Sequence, residues 1–348
     1  MQWCRSADEV VATIPRDATI VCAGLPMAPQ TLLRALCRRL PELGEPTVYC
    51  GDLSGDFAFL EEIPPECRGR LRLLVGGGPV PRTAQARVDL YPWSVHDTEL
   101  LIDSGRLRVD VCLVTLAPTR AGGWCLSPQV ACLHTAAARA GLVLAEVYES
   151  LPELQGDVTL AAGRIDRAIA VDGLLPGFQA DSAGSAVTPL QATLARHVAS
   201  LVPDGACLQV GIGALADAIL TALAGHRDLG VHAGFIGPGC ARLIEAGVIN
   251  GRCYPLAPGK VVTGALLGDQ LLFDFAHRHP DLVMRAFRHT NDPALIATIP
   301  RFYGINSALA VDLLGQVGAE ASGGLLRAGG VARWITSPAP IALPVVPR

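Results

Sequence analysis

The sequence predicts an α/β fold made of two similar, open, mostly parallel α/β domains. Three observations lead there. First, the strand-like runs are almost wholly apolar, as in Val109–Leu116 and Leu142–Tyr148, which is the signature of parallel sheets covered on both faces. Second, Asp17–Leu36 (DATIVCAGLPMAPQTLLRAL) and Asp204–Leu223 (DGACLQVGIGALADAILTAL) align without a gap at an offset of 187, pairing Gly24 with Gly211. Third, Asp172–Pro189 is rich in Gly, Pro, Ser and Asp and suits a linker. The expected domains are 1–180 and 190–348.

Each repeat reads as a turn, a short apolar strand, a glycine turn and an amphipathic helix. A second strand follows in each, at Thr47–Cys50 and Gly230–Ala233. Further strands are expected at Leu71–Val75, Val109–Leu116, Leu142–Tyr148, Val261–Leu267 and Tyr303–Ser307. Gln191–Leu201 has helical spacing and leads into the second half. The tail, SPAPIALPVVPR, is too proline-rich for a helix and reads as an extended closing segment.

At 348 residues the chain needs neither metal nor disulfide to hold a core. Charged residues make up 17% and apolar residues 50%, against about 25% charged in an average chain. That excludes disorder and favours an apolar subunit interface, so a homodimer or higher oligomer is expected. Net charge is −4, which leaves no global field for nucleic acid or anionic membrane. No apolar run approaches about 18 residues, and MQWCRSADEV lacks the core of a signal peptide. Eleven cysteines contain no CxxC pair and read as small core residues, not as metal ligands or a disulfide framework. The expected location is the cytoplasm.

Gly211-Ile212-Gly213 stands where a parallel strand passes into a helix. Such a turn, with the helix N-terminus behind it, holds a phosphate, a carboxylate or a developing oxyanion; it also serves simply as a tight turn. Gly211, Gly213 and Ala216 satisfy the dinucleotide pattern, but VHAGF, the next strand, lacks the acidic residue that would hold a ribose. His232 and Gly234 lie two residues apart and so share a strand face. In a cleft His232 serves as general base or donor; in a core it is a buried neutral ring. Asn306 ends an apolar strand, where its amide either orients a carbonyl or ties a loop to the sheet. Lys260 is the only lysine, and Cys240 sits at a helix start, where a thiol is either activated or merely packed. His277 and His279 lie on a polar helix end.

VHAGFIGPGCARLIEAGVING, APGKVVTGALLGDQLLFDF, NDPALIATIPRFYGINSALAVDLLGQVGAE and PIALP together resemble the acetyl-CoA hydrolase/transferase family. That family belongs to the class I CoA-transferases and includes 4-hydroxybutyrate CoA-transferase. The resemblance is specific over 208–320 and looser over 18–171. It implies two similar open α/β domains with the active site between them. It also implies a glutamate nucleophile at the end of the VHAGF strand, carrying acyl and then CoA groups, and here Gly234 stands at that position. Gly211, Ile212 and Gly213 fall on the family's glycine-rich loop, Asn306 on its active-site asparagine and Lys260 on its PGK segment. With Gly268, the loop and Lys260 form the expected CoA-binding set. Gln209, Gly234, Phe235 and Gln316 are the expected substrate pocket. The family's GxGGQxDFxxGA segment is replaced after Ala328-Gly329-Gly330, so a shortened second domain is expected, and APTRAGGWCLSPQ replaces the usual stretch in the first half.

A glycine offers no nucleophile, so the ping-pong route is closed. The expected function is a divergent acyl-CoA or acyl-thioester enzyme acting without a covalent glutamyl intermediate, by hydrolysis, acyl transfer or cyclisation, in a biosynthetic pathway. His232 is the expected base, with Asn306 and the loop amides holding the oxyanion. No permanently bound cofactor is expected; coenzyme A or a carrier-bound thioester enters as substrate. The alternative is a non-catalytic subunit or acyl-CoA binder partnering an active paralogue.

Overall fold

The most apolar runs of the chain form parallel strands, whose two faces must both be covered. The computed structural model describes all residues except 25–26, 51–57, 76–86, 91–92, 176–186, 212, 309, 320, 323–324 and 327–348. The first sheet contains β1 (Gln2–Trp3), β2 (Thr19–Cys22), β3 (Thr47–Cys50), β4 (Arg72–Val75), β5 (Arg87–Leu90), β6 (Val111–Pro118), β7 (Trp124–Leu126), β8 (Leu142–Val147), β9 (Thr159–Leu160) and β10 (Arg167–Ala170). Its helices are α1 (Ala7–Val11), α2 (Gln30–Arg38), α3 (Leu40–Leu43), α4 (Val95–Asp103) and α5 (Leu133–Arg139). Then come α6 (Pro189–Leu201), β11 (Cys207–Val210), α7 (Ala214–Ala222), β12 (Gly230–Ile236), α8 (Pro238–Glu245), β13 (Val261–Leu266), α9 (Gln270–Ala276), β14 (Leu282–Met284), α10 (Phe287–Thr290), α11 (Pro293–Ile296) and β15 (Phe302–Ile305).

The two sheets repeat one plan. The first runs β5-β4-β3-β2-β6 and continues through β8, β10 and β1; the second runs β14-β13-β12-β11-β15. In both, the first strand of the repeated unit lies between the second and the fifth. Every neighbour along these two paths is parallel, and within these two sheets only β7 and β9 make antiparallel pairs; two short antiparallel pairs follow, Ala310–Val311 with Val317–Gly318 and Ala321–Ser322 with Leu325–Leu326. The expected strands and the Gln191–Leu201 helix fall on observed elements. The short β1, β5, β7, β9, β10 and β14 have no counterpart in the expectation, because two to four residues carry too little periodicity to register. Most of the expected linker and all of the proline-rich tail lie outside the described residues.

Local chemistry sets the elements. Leu32, Leu33, Leu36 and Cys37 of α2 are fully buried at helical spacing. Thr188 and Gln191 form a reciprocal capping box, with Pro189 in the first turn of α6. Asp269 accepts from Leu272 N–H to start α9.

The halves are stitched together by backbone. β14 pairs only with Val261–Thr263 of β13; farther along β13, Gln129 bridges to Ala265 and Val130 N–H donates to the Gly264 carbonyl at 2.9 Å. A segment of the first half thus satisfies polar groups that the short β14 leaves exposed. On the far side of β14, Met284 N–H donates to Gln155 O and Asp157 N–H to Met284 O, both at 2.8 Å. Gly156 between them has φ +108°, and a Cβ there would stand 2.1 Å from the Met284 carbonyl oxygen. Only glycine permits that approach. One apolar cluster joins residues of both sheets, Leu116 and Val231 among them.

Candidate functional site

In an open parallel sheet, ligands gather at the carboxyl edge beside the point where the chain reverses its winding. In the second sheet that point lies between β11 and β15. Gln209 on β11 and Asn306 just past β15 meet there as a reciprocal amide pair: Asn306 Nδ2 donates to Gln209 Oε1 at 3.2 Å, and Gln209 Nε2 to Asn306 Oδ1 at 3.5 Å. Gly211 N–H donates to the Ile305 carbonyl at 3.1 Å, so it holds the two strands together. Gly213, at φ +102°, turns the chain into α7. The opening turn of that helix has main-chain N–H groups without partners inside the helix. Ile212 lies outside the described residues. Along this edge Gly211, Gly213, Phe235 and Asn306 retain solvent exposure, and the Phe235 ring lies 5.3 Å from that of Phe287.

One strand over, β12 carries Gly234. His232 and Gly234 do share a face, and α10 covers it. The His232 ring lies 5.6 Å from His289, a Cβ on Gly264 would stand 2.6 Å from the Phe287 ring, and a Cβ on Gly234 would stand 2.9 Å from Asn291 Oδ1. The space beside Gly234 is therefore occupied by the Asn291 amide. His232 is fully buried, and its Nδ1 and the Tyr254 hydroxyl share a hydrogen bond of 2.7 Å. Burial, and then the neighbouring His289, push its pKa down to about 4, so the ring is neutral at pH 7. Main-chain groups of His289 and Thr290 oppose that shift but do not reach hydrogen-bond geometry to Nε2. Strand alternation gave the correct face; the covering helix turns the expected cleft base into a sealed side chain.

A sequence profile described as the acetyl-CoA hydrolase/transferase C-terminal domain matches residues 268–332. The chain is 35% identical over 253 residues to a 4-hydroxybutyrate coenzyme A transferase of Clostridium kluyveri, covering 72% of this chain and 58% of that enzyme. It is 27% identical over 334 residues to a succinyl-CoA:acetate/propanoyl-CoA:succinate CoA transferase of Fasciola hepatica, covering 94% and 68%. Among solved structures, a 4-hydroxybutyrate CoA-transferase from Porphyromonas gingivalis superposes with a TM-score of 0.75 at 29% identity, covering 91% of this chain and 75% of that one. RipA from Yersinia pestis shares the fold with a TM-score of 0.83 at 24% identity, covering 92% and 76%. Residues 268–332 thus match the C-terminal domain of the acetyl-CoA hydrolase/transferase family, and the chain is similar to CoA transferases over most of its length. It spans 58% of the length of the Clostridium kluyveri enzyme.

Not every position expected from the acetyl-CoA hydrolase/transferase resemblance gathers at this edge. Lys260 directly precedes β13, at the amino edge of the sheet, where Nζ contacts Asp281 Oδ1 and the Pro280 carbonyl, both at 3.0 Å. Gly268 is at the carboxyl edge but serves close packing, since a Cβ there would come within 2.8 Å of Leu272 and 3.0 Å of Pro238. Gln316 is exposed beyond a tight turn, its N–H donating to Asp312 Oδ1 at 2.8 Å. Cys240 is buried, and burial pushes its thiol up to about 12, far from an activated nucleophile. The start of α8 is already capped by Asp217, whose Oδ1 accepts from Gly239 N–H at 3.2 Å.

Two polar residues at this site escaped the sequence reading. Gln129 bridges the halves and accepts from Gly24 N–H at 3.3 Å, at the first-half counterpart of the glycine turn. Asn291 belongs to the NDPALIATIP stretch, but no spacing rule links it to residue 234. Among the described residues no group of His, Cys, Asp and Glu fits a metal ion, and no helix is long and apolar enough to cross a membrane.

Proposed function

We propose that this chain processes acyl-CoA or carrier-bound acyl thioesters by direct attack on the thioester carbonyl, without a covalent glutamyl intermediate. The observation that carries this reading is Gly234 with the Asn291 amide packed against it, at the edge where Gln209 and Asn306 pair. Three of the proteins named above are CoA transferases, which supports thioester chemistry here; the glycine removes the carboxylate that the family resemblance implies for that chemistry. The Asn306 amide stands at this edge, and the opening turn of α7 adds N–H groups and a partial positive charge. Together they stabilise negative charge on the carbonyl oxygen as it becomes tetrahedral. An incoming oxygen or nitrogen nucleophile forms the new bond to the acyl carbon, the carbon–sulfur bond breaks, and the departing thiolate takes the nucleophile's proton. Water yields hydrolysis, a second substrate acyl transfer, and a nucleophile within the acyl chain cyclisation. Sealed in the core, His232 has no part in proton transfer; it ties β12 to Tyr254. A biosynthetic role and assembly into a homodimer or higher oligomer accompany this proposal, with the two halves, 1–180 and 190–348, as its domains.

The test is incubation of the purified chain with a panel of acyl-CoAs, alone and with amine or carboxylate acceptors, reading free thiol and acyl product. Thiol release with sequential kinetics, insensitive to borohydride, supports the proposal. Ping-pong exchange with borohydride-sensitive inactivation would show a covalent thioester and defeat it. Acyl-CoA bound but intact across the panel would instead support the non-catalytic binder.

A further inference from the structure

Asn291 is held at the end of α10, its N–H donating to the Phe287 carbonyl at 2.8 Å. Its Oδ1 accepts from the Thr290 hydroxyl at 2.8 Å, which fixes the carboxamide plane. The residue is 4% exposed. A side chain starting at position 234 would run directly into this group: its Cβ would lie 2.9 Å from Oδ1, 3.6 Å from Nδ2 and 3.7 Å from Cγ. A separation below 3.0 Å forces one of the two to move. A side chain at 234 and the present placement of the Asn291 amide therefore exclude one another. The amide also has a different chemistry from the carboxylate it displaces. A carboxylate only accepts hydrogen bonds and attacks; a carboxamide with its oxygen engaged presents two N–H donors. No hydrogen bond joins Nδ2 to a described residue, which leaves its two hydrogens for a ligand acceptor.

We infer that Asn291 is a carbonyl-recognising residue: its Nδ2 donates to the acyl carbonyl oxygen of the bound thioester, at the place from which a residue-234 side chain would otherwise reach the carbonyl carbon. This rests on the proposed function and adds to it the group that senses the reactive carbonyl. It makes the site select for a carbonyl next to the CoA arm, not simply for an acyl chain of suitable length.

The test compares two stable CoA derivatives of equal chain length, one a ketone that retains the carbonyl and one an S-alkyl thioether without it. Their dissociation constants are measured by calorimetry on the full chain. The wild-type protein is expected to prefer the ketone roughly tenfold, the value of one well-placed hydrogen bond. Asn291→Asp, which keeps the shape and the Thr290 contact but loses the donors, should abolish the preference while holding the thioether. Gly234→Ala should reduce it as well, because the added Cβ pushes the amide away. If either variant fails to fold, isotope-edited infrared spectroscopy of the ketone on wild-type protein replaces it, with a lowered carbonyl frequency expected. Equal affinity for both compounds in the wild type, an unshifted carbonyl, or a preference that survives Asn291→Asp overturns the inference and leaves the proposed function standing. Failure to bind either compound removes both.

Discussion

Two buried titrating groups, one in each half, should give this protein opposing pH dependences that single substitutions separate. His232 has its pKa pushed from 6.5 to about 4 by burial. Between those values the unfolded chain binds a proton that the folded chain refuses. The associated stability is present above pH 6.5 and is lost as pH falls through about 4. Glu146 is the reverse. It lies fully buried on β8, accepting from Leu32 N–H at 2.6 Å and the Tyr148 hydroxyl at 2.5 Å, and burial lifts it from 4.5 to about 7. The folded chain holds a proton that the unfolded chain releases, so this stability is present below pH 4.5 and is lost as pH rises through about 7. Each displacement corresponds to about 3 kcal/mol. In the wild type the two slopes oppose one another between pH 4.5 and 6.5. Glu146→Gln keeps an acceptor for Leu32 and removes one slope, so its stability should rise with pH by about 3 kcal/mol across that window. His232→Phe removes the other, and its stability should fall by a similar amount as pH rises. Urea unfolding at half-unit pH steps, followed by circular dichroism, reads both. Variant profiles that stay parallel to the wild type would refute the reasoning, because they would mean that neither group changes its protonation on folding.

Three further outcomes follow from the geometry. Gly156→Ala places a methyl against the Met284 carbonyl at a positive φ, and should lower stability by about 3 kcal/mol or more in urea unfolding. Lys260→Met removes a partly exposed ion pair with Asp281 at the amino edge of the second sheet; its cost should stay below about 1 kcal/mol, with CoA affinity by calorimetry unchanged. Cys240→Ala should leave thioester turnover within about twofold, since a buried thiol held near 12 is no nucleophile at pH 7; a large loss of thiol release would reinstate it.

Much of this protein was legible in one dimension. The apolar strands, the repeat pairing Gly24 with Gly211 and the helical spacing of Gln191–Leu201 are local patterns, and local patterns fix strands, helices and the parallel class. The repeat also carried the topology, since two copies of one strand–helix–strand plan wind their sheets alike. Gly234 on a short apolar strand was likewise visible directly, as was the Asn306 position at a strand end. What stood against Gly234 was not visible. Asn291 arrives there because α10 folds across β12 and β13, and the same helix seals His232 beside Tyr254. Lys260 fell at the opposite edge of the sheet from the glycine turn because a strand's two ends are far apart in space although close in sequence. The burial that displaces the pKa values of His232 and Glu146 belongs to the whole packed structure. Sequence therefore determined which of the longer elements form and that residue 234 carries no side chain. Only tertiary packing decided what fills its place, because contacts between distant segments depend on how helices cross sheets, and no periodicity encodes that.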